Sequence, residues 1–167
     1  MVVLVSAISG CIAFFRIEPM ETHYTKEQYN YVLSRVSNEL KPVETSRTNE
    51  EYRKIIEKDF KCGFYFYREA KLPSGVIGKC YAMINVVLID PSLSGYNYCQ
   101  TLAHELIHKT RFIGQENYVN YLTFRYLYEH SDPEFHNFGV NFAMTCLLED
   151  MHEDYDCRAQ IIKYFLA

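Results

Sequence analysis

The most constraining stretch of this chain is Thr101-Leu102-Ala103-His104-Glu105-Leu106-Ile107-His108, set within Tyr98 to Phe112. On an α-helix, residues four apart lie only about 40° from eclipsed, one turn above the other. His104 and His108 can therefore grip one ion, and their spacing is that of a zinc clamp. Glu105 stands where a carboxylate reaches a water on that metal and takes its proton without being a ligand, which makes it the candidate general base. The same turns carry an apolar stripe, Cys99, Leu102, Ala103 and Leu106, while Thr101, His104 and His108 share another face. A helix of this kind has to be core on one side and open on the other. The alternative reading is a solvated or hydrogen-bonded face holding no metal.

A catalytic zinc site takes three protein ligands and leaves a fourth tetrahedral position for water. Glu116 is the candidate third ligand. It lies eight residues past His108, and Gly114 lets the chain turn so that a second helix starts at Gln115 or Glu116. Asn120 falls on the same face one turn on, placed to hydrogen-bond a ligating imidazole or carboxylate. Alternatively, Glu116 is only an N-terminal helix charge favoured by the macrodipole.

The run from His104 through Lys109-Thr110-Arg111-Phe112-Ile113-Gly114-Gln115 to Glu116-Asn117-Tyr118-Val119-Asn120-Tyr121-Leu122 resembles the gluzincin class of zincin metallopeptidases. Glu116-x-x-Val119-Asn120 is similar to the glutamate-x-x-alanine-aspartate/asparagine pattern of the Ste24/HtpX-type membrane proteases. A closer resemblance, from about Phe14 to about Leu148, is to an uncharacterised bacterial family of membrane-anchored, zinc-peptidase-like proteins, in which hydrophobic helices precede a zincin domain. Val119 stands where alanine is usual, and the connection from His108 to Glu116 is one residue longer. The resemblance implies zinc on His104, His108 and Glu116, with Glu105 as base and Asn120 in support.

With 167 residues the chain is long enough to bury a core without staples. Its net charge of −4 and lack of a basic run argue against a nucleic-acid partner. Fifteen tyrosines and no tryptophan suit a core with polar tips ahead of a groove for extended peptide. Six scattered cysteines, none in CxxC or CxxH spacing, argue against a cysteine-ligated metal and read first as buried thiols.

Residues 1–16 form a hydrophobic N-terminal segment, followed by a zincin-like domain over 17–167. Val2 to Phe15 carries no charge, but as a helix it reaches only about 21 Å against a hydrocarbon core of about 30 Å. It reads as part of a transmembrane helix, as a signal segment, or as a buried element, and Ile8-Ser9-Gly10-Cys11 resembles a lipobox. The family resemblance favours the membrane helix, and with it a membrane-associated, bacterial protein whose catalytic domain lies outside the bilayer.

Thr25-Lys26-Glu27-Gln28 and Thr48-Asn49-Glu50-Glu51 have capping-box form and open two amphipathic helices, with Lys41 to Arg47 as a loop between them. Gly63 to Tyr67 predicts a strand, Leu72 to Gly75 a turn, and Tyr81 to Asp90 a largely buried strand placed to lie along the cleft. Ser131-Asp132-Pro133-Glu134 caps a further helix, and a last helix is expected from Asp154 to Leu166. The acidic residues Glu149, Asp150, Glu153, Asp154 and Asp156 around His152 read as a solvated helix junction. The expected fold is α+β and zincin-like, mostly helical, with two to four strands beside the metal helix.

The function expected is zinc-dependent hydrolysis of a peptide or protein substrate, with the membrane as a partner through the N-terminal segment. Gluzincins add a group that steadies the oxyanion. His130 and His136 lie downstream, and His136 is the candidate, against the alternative of a surface or capping histidine. The competing readings are a closed structural zinc site and an inactive zincin-fold interaction module.

Overall fold

The computed structural model describes residues 23–111, 115–148 and 155–167. The N-terminal segment, the turn at Gly114 and the acidic junction around His152 lie outside these residues. Helices α1 (Lys26–Glu39) and α2 (Asn49–Asp59) both begin with a complete capping box. The Thr25 and Thr48 hydroxyls accept from the backbone of Gln28 and Glu51, whose side chains accept in return from the threonine N–H groups. Val32 and Val36 of α1, and Tyr52 and Ile56 of α2, are buried by their helical spacing. The loop between the helices is tied down by charge: Arg47 donates to Asp132 and Glu134 at 2.6 Å each, and Ser46 donates to Glu134.

Three short strands follow: β1 (Phe66–Glu69), β2 (Gly78–Tyr81) and β3 (Val86–Ile89). The sheet order is β1-β3-β2, with β1 parallel and β2 antiparallel to β3. This corrects the predicted strand over Tyr81 to Asp90. Tyr81 ends β2, a short 3-10 turn spans Ala82–Ile84, and Asn85 takes a left-handed conformation (φ 59°) before β3 begins. Asparagine tolerates that conformation because its side chain can bond locally, and here it donates to the Phe64 carbonyl. The strand at Gly63 to Tyr67 also shifts, to Phe66–Glu69. Most importantly, β3 is central and paired on both edges, so the strand beside the metal helix is β2.

Helix α3 (Gly95–Arg111) carries the histidines through the middle of the molecule. Tyr98, Cys99, Leu102, Ala103, Leu106 and Ile107 are buried against α2, the inner face of the sheet, and α4 (Glu116–Tyr128). Each such leucine or isoleucine contributes about 1.5–3 kcal/mol by leaving water. Helix α5 (Pro133–Leu148) starts with proline at its first position and the Asp132 carboxylate accepting from the Glu134 N–H at 2.9 Å. It crosses α4 at Gly139, where any Cβ would overlap the Tyr128 backbone. Helix α6 (Tyr155–Leu166) closes the core with Ile161, Ile162 and Phe165.

The tyrosines serve this core. Tyr98 and Tyr67 share a hydrogen bond of 3.0 Å, Tyr126 donates to Asp59, Tyr128 to Glu39, and Tyr65 to Glu57. Burial lifts all of these phenols above their ordinary pKa, so they stay protonated and donate. Among the described residues, Cys62, Cys80, Cys99, Cys146 and Cys157 are in no disulfide. The result is an α+β molecule, mostly helical, with a small mixed sheet on one side.

Candidate metal centre

His104 and His108 sit one turn apart on α3, and Glu116 is the first residue of α4. The two Nε2 atoms are 3.0 Å apart. The Glu116 carboxylate spans both, with Oε2 3.0 Å from His104 Nε2 and Oε1 3.3 Å from His108 Nε2. The three side chains turn one ligand atom each toward a common point, an arrangement that could hold a metal ion. Tetrahedral zinc with bonds of about 2.0–2.1 Å separates its ligands by about 3.3 Å; the His108–Glu116 edge has this length and the other two edges, at 3.0 Å, are shorter. Two imidazole nitrogens and one carboxylate oxygen are also the right donor chemistry for zinc. Among the described residues, one group of three side chains can hold a metal, and it is this one.

The electrostatics fit a ligand cluster. Burial and the neighbouring His108 lower the His104 pKa, against the opposing pull of Glu116 and a hydrogen bond to Asn120. A neutral imidazole is the ligating form. Asn120, one turn along α4 from Glu116, thus orients the first histidine.

Glu105 points beside the triangle and is only 7% exposed. Burial pushes its pKa up to about 7, while His108 and the Cys80 N–H pull it down and Glu116 pushes it up further. A carboxyl group poised there exchanges protons near neutrality, as a general base must. The Cys80 N–H comes from β2, which lies directly over this turn of α3. At Gly78 the approach is so close that an added Cβ would lie 2.5 Å from Thr101 Cγ2 and 2.8 Å from Glu105 Oε1. Glycine is needed there for contact between strand and helix, not for its dihedral freedom.

A groove of about 660 Å³ runs over the cluster. One wall is the segment from Gly75 through β2 to Ala82, and the other is formed by α3 and the start of α4. Its size is within the range of ligand clefts. No tyrosine is among the residues that line it, so the tyrosine excess belongs to the core.

The structure brings His104, Glu105, His108, Glu116 and Asn120 together and leaves His136 out. His136 lies on α5, where its Nδ1 bonds the Tyr128 carbonyl at 2.5 Å and its Nε2 is 3.6 Å from Glu39. His130 pairs with Asp59 at 2.9 Å. Both histidines bond to neighbouring elements and neither lines the groove, so the structure does not bring His136, the candidate oxyanion-steadying group, to the cluster. The residues that sequence reasoning missed are Gly78 and Cys80. A glycine inside a short alternating run, Ile77-Gly78-Lys79-Cys80-Tyr81, is the available signal, since glycine in a strand marks close backbone approach. Compared with known proteins, the chain matches no family model, no curated protein and no solved structure.

Proposed function

We propose that this chain is a zincin-like, gluzincin-type zinc metallopeptidase. The observation that carries this reading is a buried carboxylate that is not a ligand, Glu105, held beside a three-donor cluster in an open groove. A structural site has no use for such a group. His104, His108 and Glu116 would hold the ion. When bound, zinc supplies Lewis acidity toward the scissile carbonyl and lowers the pKa of a water to about 7. Glu105 accepts the proton of the attacking water and passes it to the leaving amine, the Cys80 N–H holding its carboxylate in line.

The sheet supports a peptide substrate. Among the described residues, strand β2 pairs with β3 on one edge only. The bond from the Asp90 N–H to the Ile77 carbonyl sets the register so that the backbone groups of Gly78 and Cys80 point away from β3, toward the groove they line, where the Cys80 N–H is taken by Glu105 and the Gly78 groups and Cys80 carbonyl are left for a peptide. An extended peptide adds to such an edge by main-chain hydrogen bonds. Membrane association through residues 2–15 is part of the proposal, and that segment lies outside the described residues. Among the described residues, no helix is long and apolar enough to cross a membrane.

The test is metal content by mass spectrometry, with a casein hydrolysis assay, on wild type, His108→Ala, Glu116→Ala and Glu105→Gln. Zinc should be present in the wild type, lost in the two ligand variants and kept in Glu105→Gln. Hydrolysis by Glu105→Gln should fall by about 10²–10⁴, the usual contribution of a general base. Zinc retained without hydrolysis in the wild type would establish the structural or interaction role instead.

A further inference from the structure

The outer face of the sheet carries a pattern of its own, of which Lys79 alone also lines the groove. Val87 and Ile89 are fully buried on the inner face, so strand alternation turns Val86 and Leu88 outward. The register then sets two rows across that outer face. One is Phe66, Val86 and Tyr81, and the other is Arg68, Leu88 and Lys79. The Lys79 ammonium lies 5.0 Å from the centre of the Tyr81 ring, as neighbours on one face should. Glu69 alternates to the opposite side, where Tyr67 donates to it. None of the strand residues on the outer face is acidic, although the chain as a whole carries −4.

Beyond the apolar row lies a corner of uncovered side chains. Met83 is 94% exposed, Phe64 77%, Ile84 65% and Phe66 60%. Phe64 and Phe66 are tied to Asn85 and to each other. Asn85 bonds the Phe64 carbonyl through its side chain and accepts from the Phe66 N–H through its own carbonyl, and the Phe64 and Phe66 rings meet edge to face at 5.0 Å. A contiguous apolar patch of preorganised side chains marks an interaction surface.

We propose that this corner inserts into the interface of an anionic lipid bilayer, with Phe64, Phe66, Met83 and Ile84 among the acyl chains and Arg68 and Lys79 at the phosphates. The spacing supports this occupant. The two rows are two residues apart along the strands, about 7 Å, and interfacial elements bury their apolar faces about 5–10 Å deep. A second copy fits poorly, because it would bring Arg68 and Lys79 of both chains into one interface without a carboxylate from the strands to pair them. Ala82 lines the groove and Met83 follows it, so this seating sets the mouth of the groove against the membrane surface.

The chain contains no tryptophan, so one introduced indole reports its own surroundings. The experiment uses the full chain carrying Met83→Trp, with Lys54→Trp on α2 as control, mixed with vesicles of phosphatidylcholine alone or with phosphatidylserine. Some of the phosphatidylcholine carries brominated acyl chains. The indole at 83 should shift to the blue and be quenched with phosphatidylserine vesicles, and the indole at 54 should not. Adding Arg68→Gln and Lys79→Gln should raise the lipid needed for half the shift about fivefold per charge removed.

An indole at 83 that stays in water while the protein sediments with vesicles would overturn the proposal, leaving residues 2–15 as the membrane contact. A blue shift without lipid would also overturn it, assigning the corner to a second copy if it depends on protein concentration and to another part of this chain if it does not. Equal response to both kinds of vesicle would remove the anionic lipid.

Discussion

Replacing Gly78 by alanine tests the packing of β2 on α3 separately from the metal donors. The new Cβ would meet Thr101 Cγ2 at 2.5 Å and Glu105 Oε1 at 2.8 Å. Carbon atoms pack at about 3.5–4.0 Å, so either the strand lifts by about 1 Å or the Glu105 side chain turns away. Thr101, 5% exposed beneath the strand, has no room to yield. Overpacking of this kind costs about 1–3 kcal/mol, which lowers the melting temperature of a chain this long by about 2–12 °C. The donors His104, His108 and Glu116 are not among the atoms that clash, so zinc should be retained. A displacement of about 1 Å at a reacting group costs about 10² in rate. Gly78→Ala should therefore keep its metal, melt lower and hydrolyse casein about 100-fold more slowly. Gly63→Ala is the matched control, since no atom lies within 4 Å of a Cβ there. Wild-type melting and wild-type hydrolysis in Gly78→Ala would refute the contact between β2 and Glu105.

Removing the metal with a chelator should lower the melting temperature, and readdition of zinc to 100 times its Kd should restore about 2.7 kcal/mol; calorimetry on His104→Ala should show no such zinc dependence. Phe135, fully buried against Tyr52 and Phe138, should cost about 3–5 kcal/mol when cut to alanine, read by urea unfolding. Burial alone would raise the Glu134 pKa, but hydrogen bonds from Tyr52 and Ser46 and the Arg47 charge outweigh it and hold the carboxyl below the ordinary glutamate value. Because its folded pKa is depressed, its stabilisation is complete above the unfolded value of about 4.3 and is lost as pH falls through the folded one. Unfolding curves from neutral to acid pH should therefore show Glu134→Gln weaker at neutrality and with a flatter loss of stability below about pH 4.3.

Much of the candidate site is legible in the chain because its geometry is local. Four residues on a helix place His104 over His108 whatever surrounds them, and α4 starts at Glu116, one residue after its extended N-cap Gln115. The capping boxes at Thr25 and Thr48 are equally local, each closing within three residues. The sheet is different. Strands of four residues are too short for alternation to set their limits, and a run such as Tyr81 to Asp90 looks continuous until Asn85 turns it. Pairing order, which makes β3 central and β2 the edge, depends on contacts between segments far apart in sequence.

Sequence alone thus determined the helix that stacks His104 over His108, the helix that begins at Glu116 and the mostly helical α+β character, because helical periodicity and capping are properties of neighbouring residues. Only the tertiary structure decided that Gly78 and Cys80 press on Glu105, that His136 links α5 to the end of α4, and that the outer sheet face sorts into an apolar row and a cationic row. Those facts depend on which surfaces meet, and burial against a distant partner leaves no periodic trace in segments this short.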